Sequence, residues 1–344
     1  MGSYFLLKAE FSHPPRRDPF SPIIITGGLS VKIKNRQLTT RELNVLADDN
    51  KSNEYEWDIP RLQLLINDRL SALLPKIDSE LSVLHAGMSY NLLAPGKRLR
   101  PLLTILTAQN FGYEVFSALD VACSIEMIHA ASLILDDLPA MDNATVRRGQ
   151  QTTHRKFGED IAILSGVGLL NLAFSVLAAN KTLSVETRIE LIRLLTGAVG
   201  FDGLIGGQVM DLHLRSASTN DQQLSRVNAQ KTAVLFIAAA EAGALLAGVK
   251  NSQLSLVREF ASELGAGFQI ADDFLDDIAY SGQTGKDTGK DMYKPTILSK
   301  IGKPDASKMM NHHLNLARAH LNQMGGNSQS LATLIDFGFS RFKS

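Results

Sequence analysis

From Ile59 onward, apolar residues recur at helical spacing almost without interruption, as in Leu62, Leu65, Ile66, Leu70, Leu73 and Leu74 ahead of Pro75. Runs that alternate apolar and polar residues, the mark of a half-buried strand, are absent from this stretch. Breakers at Ala94-Pro95-Gly96, Leu138-Pro139, Gly149, Ser281-Gly282, Gly285, Gly289 and Gly325-Gly326 divide it into some ten or more helices. With 344 residues, 44% of them hydrophobic, there is enough apolar side chain for a large core. The expected architecture is all-α: residues 57–344 form a single-domain helical bundle around a deep apolar cavity. Residues 1–56 read differently, with Pro14, Pro15, Pro19 and Pro22, then Gly27-Gly28, then a polar run from Asp48 to Trp57. They are expected to be a loosely ordered N-terminal extension.

Lys plus Arg equal Asp plus Glu at 35 each, so no overall field draws the chain to nucleic acid or to an anionic membrane, and selectivity must come from local clusters. The single Cys123 excludes an intramolecular disulfide and fits a reducing, cytoplasmic setting. The N-terminal extension mixes arginines and serines with Glu10, Asp18 and Glu42 and has no apolar segment with a cleavage site. No secretory signal is read there, and a plastid transit peptide stays as the alternative to a cytoplasmic location. The uncharged stretch Ile161–Asn180 is long enough to cross a membrane. Its Ser165, Asn171, Ser175 and glycines favour a helix buried on all sides, so no integral membrane segment is expected. Ala233–Val249, which holds Glu241, is read the same way.

Two apolar stretches end in carboxylates: Asp136-Asp137-Leu138-Pro139-Ala140-Met141-Asp142 and Asp272-Asp273-Phe274-Leu275-Asp276-Asp277. Carboxylates packed this densely would hold protons unless a polyvalent cation neutralised them. Oxygen ligands without nearby Cys point to Mg2+ or Mn2+, ions that bridge to substrate phosphates. Pro139 should end its helix soon after Asp137 and let the loop return Asp142 to the same ions. Gln269, Asp272, Asp273 and Asp276 can share one helical face. Two such ends facing each other would make a metal-rich mouth above an apolar cavity, suited to a substrate with a charged head and a greasy tail.

Basic clusters accompany them. Gly96-Lys97-Arg98-Leu99-Arg100-Pro101 lies upstream and Arg147-Arg148-Gly149 just after Asp142, and guanidinium forks bind phosphate oxygens in pairs. Lys231-Thr232 precedes an apolar helix, and Lys286, Lys290 and Lys294 lie in a glycine-punctuated loop that could close over a diphosphate. Gln208 and Asp211 interrupt an apolar helix, either as site residues or as inter-helix hydrogen bonds.

Taken in order, these motifs resemble those of the trans-isoprenyl diphosphate synthases, from about Leu92 to Gly302. Ser132-Leu133-Ile134-Leu135 and the run Gln151 to Glu159 look most like geranylgeranyl diphosphate synthases of the bacterial carotenoid-pathway type. The resemblance implies the isoprenoid synthase fold and a homodimer. It implies Mg2+-dependent head-to-tail condensation of isopentenyl diphosphate with an allylic diphosphate (dimethylallyl, geranyl or farnesyl). The product would be C20 geranylgeranyl diphosphate. About three Mg2+ ions, replaceable by Mn2+, would be held by Asp136, Asp142, Asp272 and Asp276. Asp137 and Asp273 stand beside them, and Arg147 and Lys231 join this catalytic set. Lys97, Arg100, His129 and Arg148 would hold isopentenyl diphosphate. Arg147, Gln208, Lys231, Thr232, Gln269, Lys286 and Lys294 would serve the allylic substrate. His129 precedes Asp136 by two helical turns and so faces the same way.

The tail would grow down the cavity from the metals. Ala131 and Ser132 lie roughly 7.5 and 6 Å below Asp136 along the helix axis. Family members with aromatic residues there tend to stop at C15, so these small residues imply room for C20, with Met127 and Ile128 as the next floor. The alternatives are a C15 farnesyl diphosphate synthase, a terpene cyclase and a non-catalytic synthase subunit. Asp272-Asp273-x-x-Asp276 argues against the cyclase, and two intact aspartate motifs argue against the subunit. Asn143-Ala144-Thr145-Val146 lacks the acidic residues the family often has there, and Pro295 leaves the aim of Lys294 open.

Overall fold

The computed structural model describes residues 30–33, 36–39, 57–77, 79–213, 229–250, 252–280 and 297–342, with side chains from Trp57 onward except those of Ala229 and of 276–280. The chain divides into two units, Met1–Lys51 and Ser52–Ser344. In the first, β1 (Ser30–Ile33) and β2 (Arg36–Thr39) pair antiparallel, Ser30 opposite Thr39 and Ile33 opposite Arg36. The rest of the expected extension lies outside the described residues.

The second unit is all-α, as the periodicity demands. It begins with α1 (Ile59–Leu73), α2 (Ser82–Leu92), α3 (Leu99–Asn110) and α4 (Val115–Asp136), then a short hairpin of β3 (Val146–Arg147) and β4 (Gln150–Gln151). There follow α5 (Thr153–Phe157), α6 (Glu159–Ala179), α7 (Val185–Val199) and α8 (Leu204–His213). A π-helical turn, Ala229–Ala233, runs into α9 (Val234–Leu246), followed by α10 (Ser252–Tyr280), α11 (Ile297–Ile301), α12 (Lys303–Met324) and α13 (Gln329–Gly338). The β3–β4 hairpin was not foreseen, because two residues per strand cannot show an alternating pattern. Its turn is Arg148–Gly149, both left-handed at φ 53° and 78°, the conformation that suits tight hairpins.

Local chemistry sets the helix ends. Asp58 caps α1 by accepting from the Arg61 N–H at 2.9 Å, and Pro60 occupies a first-turn position where no donor is needed. Leu62, Ile66 and Leu70, one turn apart, are then wholly buried, each contributing about 1.5–3 kcal/mol relative to exposure. The centre is α3 and α4, covered by α6, α9 and α1. At Gly243 of α9 an added Cβ would lie 2.3 Å from the Thr104 carbonyl oxygen of α3, so the two backbones meet there. Glu241, the acid within the apolar Ala233–Val249 stretch, accepts from Arg258 of α10 at 2.8 Å.

One expectation needs correction. α6 is not buried on all sides: Ala162, Leu169 and Ala173 are enclosed, but Ile163, Leu164 and Val167 are 45, 53 and 55% exposed. Lack of charge shows that a helix can be covered, and does not show that its own chain covers it.

Gly243→Ala should destabilise the protein by about 1–3 kcal/mol, the usual range for overpacking a close contact, seen as a lower denaturation midpoint with an unchanged m-value.

Candidate active site

α4 ends at Asp136 with Asp137 as its C-cap, as Pro139 predicted, and the loop folds back so that the Asp142 N–H donates to the Asp136 carbonyl at 2.9 Å. Asn143 follows in a left-handed conformation, φ 48°. Asp137 and Asp136 have different surroundings. The Asp137 carboxylate is 1% exposed and takes Arg147 Nε at 2.8 Å and Nη2 at 2.7 Å. Burial raises the Asp137 pKa and Arg147 opposes the rise. Burial pushes Asp136 up to about 6, with Lys231 pulling down and Asp142 pushing up. A cation beside Asp136 would release that proton.

Lys231 links the end of α4 to α8. It lies in the π-helical turn, acts electrostatically on Asp136, and donates to the buried Asp211 of α8 at 2.6 Å. Thr232 Oγ1, one residue on, donates to Gln269 Oε1; the Gln269 amide donates to Asp273 at 3.2 Å; Asp273 also accepts the Ile297 N–H at 3.0 Å. Gln269, Thr232 and Asp273 are thus joined in one hydrogen-bonded chain. Gly207 makes this possible, since a Cβ there would stand 2.7 Å from the Lys231 backbone nitrogen. Gln208 reaches the Asp136–Asp142 loop, its amide 3.7 Å from Met141 Sδ, and its buried Oε1 has no hydrogen-bond partner among the described residues.

The other wall is cationic. Arg100 is buried on α3 with its guanidinium 4.4 Å from the Phe236 ring centre and Nη1 3.4 Å from His129 Nε2. Its Nε has no partner among the described residues, and burial lowers its pKa to about 10, against the pull of Glu126 and Asp272. Arg148 lies over Gly96, where an added Cβ would be 3.3 Å from the guanidinium carbon, and burial lowers it too. Lys97 donates to the Gly338 carbonyl at 2.6 Å; burial and Arg341 lower its pKa, and Asp272 opposes them. Asp272 is therefore close enough to act on both Lys97 and Arg100, which joins this wall to the second aspartate cluster. His129 is half-buried, and burial with Arg100, Arg148, Arg147 and Arg98 around it holds its pKa well below 6.5.

Lys286, Lys290 and Lys294 lie outside the described residues, as do the side chains of Asp276 and Asp277. Among the described residues no three carboxylate, His or Cys groups converge to hold an ion unaided. Magnesium is typically held in this way, by one or two carboxylates, with water and substrate phosphates completing its shell. The oxygen-only donors and the raised Asp136 fit such an ion. On the chain-length face, Ser132 is half-buried with its hydroxyl donating to the His129 carbonyl at 2.9 Å, whereas Ala131 is 2% exposed.

The sequence reading overlooked several residues: Asp211 as the partner of Lys231, the Gly338 carbonyl, and Glu126 with Arg98. Glu126 could have been noticed as a lone acid inside the apolar part of α4.

The polyprenyl synthetase family profile matches residues 82–310. A geranylgeranyl diphosphate synthase of Pseudescherichia vulneris is 40% identical over 266 residues, 77% of this chain and 85% of that protein. A farnesyl diphosphate synthase of Bacillus subtilis is 35% identical over 275 residues, 79% and 93% of the two chains. The crystal structure of a geranyltransferase from Helicobacter pylori complexed with magnesium and isoprenyl diphosphate superposes with a TM-score of 0.72 at 26% identity, covering 84% of this chain and 99% of that one.

His129 should remain neutral at pH 7. The unfolded chain takes up a proton near pH 6.5 that the folded ring refuses, so this contribution to stability is lost as pH falls below about 6.5. Imidazole NMR should show no His129 titration between about pH 8 and 6; a midpoint near 6.5 would contradict the crowding by guanidinium groups.

Proposed function

Because the chain belongs to the polyprenyl synthetase family, and is a prenyltransferase of that family, we propose that it makes C20 geranylgeranyl diphosphate from isopentenyl diphosphate and allylic diphosphates. The observation that carries the reading is a pair of charge groupings: Lys231 and Arg147 act on Asp136, and Asp272 acts on Lys97 and on Arg100, whose Nε has no partner among the described residues. Two diphosphates and their cations would complete that balance. The identity to a geranylgeranyl diphosphate synthase exceeds that to a farnesyl diphosphate synthase, 40% against 35%. The small Ala131 and Ser132 favour the longer product in the same direction.

Asp136, Asp142 and Asp272 with Asp276 would hold magnesium, which would supply charge stabilisation to the departing diphosphate. Lys231 and Arg147, with Thr232 and Gln269, hold the allylic diphosphate, and Lys286, Lys294 and Gln208 belong to the same set. Lys97, Arg100, His129 and Arg148 hold isopentenyl diphosphate. The allylic C–O bond breaks with its electron pair leaving on the diphosphate. The π pair of isopentenyl diphosphate then forms the new C–C bond, and the leaving diphosphate takes the proton lost from the adjacent carbon. No protein nucleophile is needed. Carbonyls around the π-helical turn at Lys231–Thr232 would offset the allylic positive charge.

The exposed apolar side chains of α6 (Ile163, Leu164, Val167), with Ile189 on α7 and Ile205 and Val209 on α8, support a homodimer that buries them. A cytoplasmic location remains our reading.

Product analysis by mass spectrometry should give a C20 chain that disappears with EDTA, and Asp136→Ala should cost on the order of 10²–10³ in kcat. Ser132→Phe, one turn below Asp136, should shift the product toward C15. An unchanged C20 product would reject Ser132 as part of the floor, and a wild-type product stopping at C15 would reject the C20 reading.

A further inference from the structure

Between Lys97 and Arg100 stands an arginine whose guanidinium is bonded within the fold. The Arg98 and Glu126 side chains are 2% and 4% exposed and pair at 2.8 Å. The remaining donors of Arg98 reach Asn67 Oδ1 on α1 at 2.8 Å and the Ala94 carbonyl at 2.9 Å. One guanidinium thus ties α4, α1 and the loop before α3, and Gln63 of α1 holds the same loop by donating to the Lys97 carbonyl at 2.9 Å. Arg98 is also the N-cap of α3 and left-handed, φ 53°, so the backbone that aims Lys97 and Arg100 turns at this residue. A non-glycine residue persists in that conformation where its surroundings over-determine it.

A buried ion pair is poor value for stability, since apolar groups of similar volume often serve as well or better. It suits orientation, and a lysine, lacking the planar fork, could not make these three contacts in place of Arg98. Glu126 also lies one helical turn before His129 and acts on both Arg100 and Arg148.

We propose that Arg98 and Glu126 are positioning residues that set the geometry of the cationic wall for the non-allylic diphosphate. The inference rests on the reading of Lys97 and Arg100 as ligands of isopentenyl diphosphate. Neither Arg98 nor Glu126 touches substrate, so their effect passes through Lys97, Arg100 and His129.

The test compares steady-state kinetics and melting of Glu126→Gln, the double variant Arg98→Met/Glu126→Leu, and Lys97→Ala. Both positioning variants should raise KM for isopentenyl diphosphate about tenfold or more, with KM for the allylic substrate and kcat changed less than about threefold. The double variant should melt near the wild type, because no charge is left unpaired. A double variant with unchanged KM for isopentenyl diphosphate would make the pair structural only and overturn the inference. Lys97→Ala should raise the same KM; if it does not, the assignment of the diphosphate site fails, and this inference with it. Should the double variant not fold, Asn67→Ala removes only the acceptor of Arg98 Nε. It should raise that KM several-fold, and an unchanged value would again overturn the proposal.

Discussion

Charge brought to the edge of an apolar bundle must be neutralised either by the fold or by what binds there, and this constraint organises the molecule. Some charged groups are satisfied internally: Asp137 with Arg147, Asp211 with Lys231, Glu126 with Arg98, Glu241 with Arg258. Others are only partly compensated, and their proton affinities record it. Asp136 is driven up to about 6, Arg100 down to about 10, and His129 well below its usual range. The first group fixes backbone and loops. The second group has charge left for a bound ion to answer, and a cation beside Asp136 would favour its ionised form.

The backbone carries the same division of labour. The left-handed non-glycine residues of the described chain are Arg98, Asn143 and Arg148. Each lies in a loop that delivers site side chains: the entry to α3, the return of Asp142, and the turn of the β3–β4 hairpin. The π-helical turn carrying Lys231 and Thr232 is a fourth irregularity. Conformations that cost energy concentrate where groups must be aimed, and the regular helices around them, α3, α4, α9 and α10, supply the compensating burial.

Helical class, most breakers and the aspartate clusters were legible because each rests on a short-range pattern: apolar spacing, proline and glycine, or carboxylates adjacent in sequence. Contacts between distant segments were not. Nothing near Arg98 announces that Glu126 and Asn67 will meet it, and nothing near Lys97 announces the Gly338 carbonyl. The outward face of α6 was misread for a related reason, since periodicity shows that a face is apolar without saying which chain covers it. Ala131 and Ser132, read together as a floor, differ in exposure: Ala131 is buried and Ser132 half-buried.

The setting of Arg100 explains how so apolar a bundle can hold a buried cation. Its guanidinium rests against Phe236 at 4.4 Å and Phe268 at 5.9 Å, and Phe268 in turn packs on Phe339. Aromatic faces attract the charge but accept no strong hydrogen bond, so the cation is held in place while its Nε stays without a partner among the described residues. A cation stripped of water in this way interacts more strongly with an arriving anion than one on an open surface would, because little solvent remains to screen it. On the proposed reading a diphosphate would meet a cation seated on α3 against rings of α9 and α10, while Lys97 and Arg148 would reach it from the loop before α3 and from the β3–β4 turn.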